Sequence, residues 1–393
     1  MGIELNNEQI YCIYDLERWW NSKDKQLFQI SGSPGTGKTT IIRYFIERLR
    51  LKPENVLFVA YMGKAVSVMQ RNGLPAKTIH SAIYDYKEKI ARDEEGKIIL
   101  KPNGKPKLIH SFELKDHLSK KIKLIVVDEA SMVERKVAED LMSYEKPVIT
   151  LGDLNQLPPV FGDPYFLNNP DVVLTQIMRQ AEGNPIIWLS QEILKGHPLK
   201  YGTYGNSSVI RKADINAFQF KESDIILTGT NRLRFNINNF CREQIKKINH
   251  LEYPNIGEKM ICRKNNWSQS IDGGIFLTNG TCGFVDYIYR DSFNSKSMRM
   301  DFRPDFSKKI FKNVEFDYKH LYETPGNTEE ENPFNFYYDK MEFGYAITVH
   351  TSQGSSYPNV LYLHEGFMRD PEDNKKLMYT AITRASESCT VVI

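Results

Sequence analysis

The run Gly32-Ser33-Pro34-Gly35-Thr36-Gly37-Lys38-Thr39 constrains this chain more than any other segment. It fills every fixed position of the phosphate loop G-x-x-x-x-G-K-[ST]. The apolar run Leu27 to Ile30 precedes it as a buried strand would, and Thr40-Ile41-Ile42, Tyr44-Phe45-Ile46 and Leu49 recur at helical spacing behind it. A strand feeding a helix through glycines turns successive backbone N–H groups onto phosphate oxygens, and the helix N-terminus adds a favourable dipole. In that geometry Lys38 reaches the β- and γ-phosphates and Thr39 offers a hydroxyl to magnesium. Gly32, Gly35, Thr36, Gly37 and Thr40 complete the expected nucleotide-binding loop.

A second run, Leu124-Ile125-Val126-Val127-Asp128-Glu129, delivers two adjacent carboxylates at the end of an apolar strand, where open α/β sheets bind their ligands. Beside a phosphate loop, Asp128 is expected to hold the metal and Glu129 to polarise an attacking water. The first half therefore reads as α/β. The rhythm returns later: Asp224 to Thr228 and Asn359 to Leu363 read as strands, Asn374 to Ala385 has helical spacing, and Cys389 to Ile393 closes as a strand. Two α/β layers fit the 393 residues better than one core.

Two stretches interrupt these layers. Between Tyr84 and Lys123 basic residues outnumber acidic ones, and Asn103-Gly104 lies between the short apolar runs Ile98 to Leu100 and Leu108-Ile109, a hairpin signal. From about Asn255 to Lys340 helical spacing fades, and β-like runs appear at Lys259 to Arg263, Thr281 to Tyr289 and Met298 to Phe302.

Phosphate loop and acid pair together indicate nucleoside triphosphate hydrolysis but leave its use open. Further segments narrow the choice: Gly152-Asp153-Leu154-Asn155-Gln156-Leu157-Pro158-Pro159, Ile177-Met178-Arg179-Gln180, Tyr345 to Gly354 (YAITVHTSQG) and Tyr379 to Ala385 (YTAITRA). Together with Leu5-Asn6-Asn7-Glu8-Gln9, this series resembles the motifs of superfamily 1 helicases, in the RecD-like 5′-to-3′ branch, with the layout of phage Dda-type enzymes. The resemblance runs from residue 5 to residue 385. It implies two RecA-like P-loop NTPase domains: 1A (1–83 and 113–190) and 2A (191–255 and 341–393). It also implies a β-hairpin pin, 1B (84–112), and an SH3-like β insertion, 2B (256–340).

The same resemblance assigns roles residue by residue. Gln9 matches the glutamine that reads the adenine edge, Gln156 the γ-phosphate sensor, and Arg179 and Arg384 the two arginines that stabilise the transferring phosphoryl group. Lys64, Thr78, His80, Thr348, His350, Ser352 and Gln353 match nucleic-acid contacts that grip phosphate and sugar without reading bases. Tyr61-Met62 departs from the family's usual proline and threonine, and Thr351 from a common basic residue. The implied activity is ATP- and Mg2+-dependent unwinding by a functional monomer that translocates on single-stranded DNA and meets duplex at its junctions, with single-strand-binding or replication proteins as candidate partners. An RNA-directed or RNA/DNA ATPase of the same superfamily stays open, because such grips discriminate sugars poorly. A small-molecule kinase would need an acceptor pocket in place of Gln353, Arg179 and Arg384. A silent binding module fits poorly with Lys38, Asp128, Glu129 and both arginines present.

Composition adds exclusions. A 41% hydrophobic and 26% charged chain is an ordinary globular one, and its net charge of +3 does not by itself imply an anionic partner. No apolar run approaches membrane-span length, so no membrane association is expected. The start of the chain shows no secretory pattern, and the five scattered cysteines show no metal or redox spacing. Reduced thiols in a cytoplasmic protein, bacterial or of a phage-infected host, are the expectation.

Overall fold

A computed structural model of the chain describes residues 5–93, 95–100, 104, 106, 108–158, 165–178, 183–249, 253–271, 275–289, 297–322, 339–368 and 370–393. Two compact units emerge, one formed by Met1–Ala82, Asp116–Gly229 and Thr348–Ile393, the other by Ile83–Lys115 and Thr230–Ile347.

The first unit opens with α1 (Asn7–Ser22), β1 (Leu27–Gly32), α2 (Lys38–Arg48), β2 (Val56–Ala60), α3 (Gly63–Arg71), β3 (Ala76–Thr78) and the short α4 (Ile79–Ile83). The chain departs through β4 (Tyr84–Ile90) and β5 (Leu108–Leu114). It returns as β6 (Leu124–Asp128), α5 (Arg135–Met142), β7 (Val148–Gly152), β8 (Val172–Leu174) and α6 (Pro185–Leu194). The first sheet has the order β3-β2-β6-β7-β1-β8, and its pairings are parallel. Leu124 to Val127, Val148, Ile149 and Ile30 are fully buried, as expected of parallel strands covered on both faces. Because the strands run parallel, the ends of the adjacent β6, β7 and β1 open on one edge. Asp128-Glu129, the Asp153 loop and the phosphate loop therefore emerge side by side.

A second lobe of the same unit follows: β9 (Gly202–Tyr204), β10 (Ser207–Ile210), α7 (Ala217–Glu222) and β11 (Ile225–Thr228). After the second unit the chain comes back with β20 (Tyr357–Leu363), α9 (Pro371–Ile382) and β21 (Ala385–Val392). These strands lie in the order β11-β20-β21-β10-β9, parallel except for the β9–β10 hairpin. The two lobes are the two RecA-like layers that the motif order implies. One boundary differs from the periodicity. Helical spacing suggests Asn374 to Ala385, but Asp370 caps the helix through the Glu372 N–H and Pro371 takes its first position, so α9 begins earlier. It ends at Ile382, which puts Arg384 just beyond the helix.

The second unit holds α8 (Asn231–Phe240), running on into a π-helical turn (Cys241–Ile245), and the strands β12 (Lys259–Cys262), β13 (Asn266–Ile271), β14 (Ile275–Leu277), β15 (Cys282–Tyr289), β16 (Ser297–Pro304), β17 (Phe311–Asp317) and β18 (Met341–Phe343); β19 (Ala346–Thr348) leads out of it. An antiparallel sheet of order β17-β16-β15-β12-β18 forms its body. The longer segment of this unit runs from Thr230 to Ile347, wider at both ends than the expected insertion 256–340. The cause is polar anchoring that periodicity does not reveal. Asn238 exchanges hydrogen bonds with the Ala346 backbone at 2.9 and 3.0 Å, and the fully buried Arg242 forks onto Glu258 at 2.8 and 3.0 Å.

In the same unit β4 and β5 form an antiparallel ladder from Tyr84↔Leu114 to Ile90↔Leu108. Residues 94, 101–103, 105 and 107 lie outside the described residues. Four rings tie this ladder to the β13–β14 hairpin. Phe112 meets Trp267 edge-on at 4.7 Å, Tyr86 meets Phe276 at 5.7 Å, and Trp267 meets Phe276 at 5.4 Å. Each such pair adds about 0.5–1.5 kcal/mol beyond area burial.

All five cysteines are buried and free. Among the described residues no helix is long and apolar enough to cross a membrane.

Candidate nucleotide site and nucleic-acid surface

The phosphate loop leaves β1 at Gly32 and enters α2 at Lys38. Gly37 has φ +83°, and a Cβ there would meet the Gln9 amide nitrogen at 2.4 Å, so this position requires glycine on two counts. Gln9 is fully buried. Its carbonyl oxygen takes the Asn6 N–H in a capping box that starts α1, while its Nε2 donates to the Thr36 carbonyl at 2.9 Å. The expected adenine reader is thus anchored directly on the loop. Met178 closes the same corner, its N–H donating to the Gly35 carbonyl at 3.0 Å. Arg179 lies outside the described residues.

Lys38 folds its ammonium onto the loop's own backbone, donating to the Gly32 carbonyl and to the Ser33 carbonyl at 3.3 Å. Thr39 and Gly35 are exposed, and Thr40 is half-buried. Desolvation, reinforced by the neighbouring Glu129 charge, pushes the Asp128 carboxyl up to about 6; the Glu129 N–H and the Lys38 charge act in the opposite sense. Glu129 itself has φ +50°, a left-handed backbone that costs a non-glycine residue about 1–3 kcal/mol and is stored at functional sites.

The loop after β7 meets the second lobe. Asp153 is 3% exposed and accepts from the Tyr379 hydroxyl at 2.6 Å. Gln156, also buried, donates its N–H to the Asp153 carbonyl at 3.3 Å. The Leu157 N–H donates to Thr380 Oγ1 at 2.9 Å, and the Leu157 carbonyl accepts from Gln353 Nε2 at 2.5 Å. Gln353 is therefore part of the seam between the lobes. Arg384 is buried at 3% exposure; Nε donates to the Thr380 carbonyl at 3.2 Å, Nη1 to the Ser355 carbonyl at 3.1 Å and Nη2 to the Thr383 hydroxyl at 3.4 Å. These hydrogen-bond partners are all neutral.

The expected nucleic-acid contacts divide into two sets. In the first lobe Lys64, in the first turn of α3, sets its ammonium 3.5 Å from the centre of the Tyr357 ring of the second lobe. Thr78 is buried and shares a hydrogen bond with the Ser81 hydroxyl at 2.9 Å. His80 packs edge-on against Tyr61 at 5.6 Å, and Tyr61 donates to Glu134 at 2.9 Å. In the second lobe the Thr348 and Thr351 hydroxyls lie 2.8 Å apart, and Ser352 is fully buried with its hydroxyl on the Val349 carbonyl at 2.7 Å. Burial lowers the pKa of both His80 and His350. Asp153, Tyr379 and Thr380 carry no expected role in the sequence. Their one available signal was the recurrence of polar residues in otherwise core-like segments.

The family described as "AAA domain" matches residues 5–214, and the "UvrD-like helicase C-terminal domain" matches residues 343–392. The chain is 26% identical over 391 residues to the ATP-dependent RecD2 DNA helicase of Deinococcus radiodurans, covering 92% of this chain and 46% of that protein. It is 25% identical over 250 residues to the ATP-dependent DNA helicase dda of Enterobacteria phage T4, covering 55% of this chain and 52% of that protein. The chain thus spans about half the length of these curated relatives. Among solved structures, the Pif1 helicase from Bacteroides in complex with ADP-AlF3 and ssDNA superposes with a TM-score of 0.52 at 16% identity, covering 99% of this chain and 92% of that one. A likeness at that identity speaks for the fold.

Proposed function

Because this chain belongs to the AAA-domain family, we propose that it is a superfamily 1 helicase of RecD and Dda type, driven by ATP and moving 5′ to 3′ on single-stranded DNA. The observation that carries this reading is the seam. The phosphate loop, the acid pair and the Asp153 loop share one sheet edge, and Tyr379, Thr380 and Gln353 of the other lobe bond directly to that edge's loops.

On ATP binding, Lys38 exchanges the Gly32 and Ser33 carbonyls for the β- and γ-phosphates. The residues fit a divalent cation as well: the Asp128 carboxyl sits in a desolvated cleft where the opposing charge acting on it is Lys38, and Thr39 exposes a hydroxyl at the start of α2. Few carboxylates suffice, since magnesium beside a nucleotide takes most of its ligands from phosphates and water. Bound there, Mg2+ would neutralise charge on the phosphates. Glu129 orients and polarises the attacking water. Arg384, whose hydrogen-bond partners among the described residues are neutral, is poised to move onto the transferring phosphoryl group, a contribution worth about a thousandfold or more in turnover. Arg179 is the second candidate for that role.

Because Arg384 and Lys38 belong to different lobes, hydrolysis depends on how the lobes meet. Lys64, Thr78, His80, Thr348, His350, Ser352 and Gln353 are the proposed grip on sugar and phosphate. The β4–β5 ladder, held by Trp267 and Phe276, is the proposed pin that parts duplex at the junction, with the β insertion as its brace. Measuring ATP turnover with and without single-stranded DNA or RNA tests the reading. Acceleration by DNA is expected, acceleration by RNA alone would reassign the substrate, and indifference to both would remove the helicase function.

A further inference from the structure

The Asp153 loop and the end of α9 grip each other through adjacent residues. The Tyr379 hydroxyl donates to Asp153 Oδ2 at 2.6 Å, and one residue on, Thr380 Oγ1 accepts from the Leu157 N–H at 2.9 Å. Tyr379 and Thr380 are fully buried. The same Asp153 oxygen also receives the side-chain amide of Gln156 at 3.5 Å. From Thr380 the contacts continue, because its carbonyl accepts Arg384 Nε at 3.2 Å. Burial and the Asp153 carboxylate hold the Tyr379 phenol far above its ordinary pKa, so it stays protonated and donates.

Resting on the helicase reading above, we propose that Tyr379 is a positioning residue whose hydroxyl transmits the placement of Gln156 to α9, and through Thr380 to Arg384. The asymmetry of the two bonds on Asp153 Oδ2 is the basis. The Gln156 amide is held at 3.5 Å and is free to leave for a terminal phosphate, whereas the phenol at 2.6 Å is a charge-assisted bond roughly twice as strong as a neutral one. When Gln156 turns to the phosphate, Asp153 Oδ2 is left to Tyr379. This change in the first lobe therefore acts on one oxygen of the second, five residues before Arg384.

The test compares Tyr379→Phe, Asp153→Asn and the double variant with the unsubstituted chain. Two quantities are read: the dissociation constant of a fluorescent ATP analogue and kcat for ATP, with and without single-stranded DNA. The Phe variant keeps the ring, and the Thr380–Leu157 bond still holds α9. The expected result is a fall in kcat of about tenfold, within the range of a typical coupling, with analogue affinity unchanged and the double variant no slower than the slower single one. An unchanged kcat, an equal loss of affinity and kcat, or additive losses in the double variant would each overturn the proposal. Failure of DNA to stimulate the unsubstituted chain would instead remove the helicase reading, and the Tyr379 effect would still be read on unstimulated hydrolysis.

Discussion

The guanidinium of Arg384 donates to the main-chain carbonyl of Ser355 at 3.1 Å, inside its own lobe. Its other acceptors, the Thr380 carbonyl and the Thr383 hydroxyl, are neutral too. Among the described residues the hydrogen-bond partners of this buried cation are dipoles, and a nucleotide phosphate would supply a counter-charge.

Arg384→Ala should therefore lower kcat by about a thousandfold while nucleotide binding persists. Arg384→Lys should restore little, because a point charge cannot reproduce the planar fork that holds two acceptors. Steady-state turnover together with analogue binding checks both. Recovery of most activity with lysine would show that charge alone matters.

Lys38→Ala should abolish hydrolysis, and Glu129→Gln should bind ATP normally while slowing the chemical step by about a hundredfold or more. Single-turnover kinetics separates the steps. Parallel loss of binding and chemistry in the Gln variant would make Glu129 a structural residue, with its left-handed backbone as the reason.

The Asp128 carboxyl stands at about 6 against an ordinary 3.8, raised by desolvation and by Glu129. Relative to the unfolded chain, the fold favours its protonated form. The stabilisation is complete below pH 3.8 and disappears as pH rises through about 6, at no more than about 1.4 kcal/mol per pH unit. In chelator and without nucleotide, Asp128→Asn should thus unfold at a higher temperature than the unsubstituted chain at pH 8, with the gap shrinking toward pH 5. A gap independent of pH would contradict this assignment.

Shortening the hairpin between Lys97 and Lys107 should leave DNA-stimulated ATP turnover intact and impair strand separation. Trp267→Ala, which removes the edge-on partner of Phe112, should do the same in milder form. Comparing ATP consumed with duplex unwound in each variant is the check, and unchanged unwinding in both would place the wedge elsewhere.

Much of the site was legible because its chemistry is local. Lys38, Thr39, Asp128 and Glu129 each follow an apolar strand at fixed spacing, so a linear reading could place them on one sheet edge. The contacts that make the site two-sided were not legible. Asp153 and Tyr379 are 226 positions apart, and a buried phenol on a carboxylate looks from sequence like any core tyrosine beside a turn. Arg384 was readable as a residue type but not by its environment, since its acceptors include the main-chain carbonyls of Thr380 and Ser355, which leave no mark in the sequence. The unit boundaries escaped for a similar reason: Arg242 and Glu258 are paired inside a core, and polar pairs leave no periodic trace.

The central claim is that ATP cleavage between the lobes drives the chain in one direction along a single strand. Its most direct test is unwinding of duplexes carrying a 5′ tail or a 3′ tail, in ATP with magnesium. The account predicts ATP-dependent unwinding of the 5′-tailed duplex and little of the other. Preferential unwinding of the 3′-tailed duplex, or equal unwinding with Lys38→Ala in place of the unsubstituted chain, would contradict it.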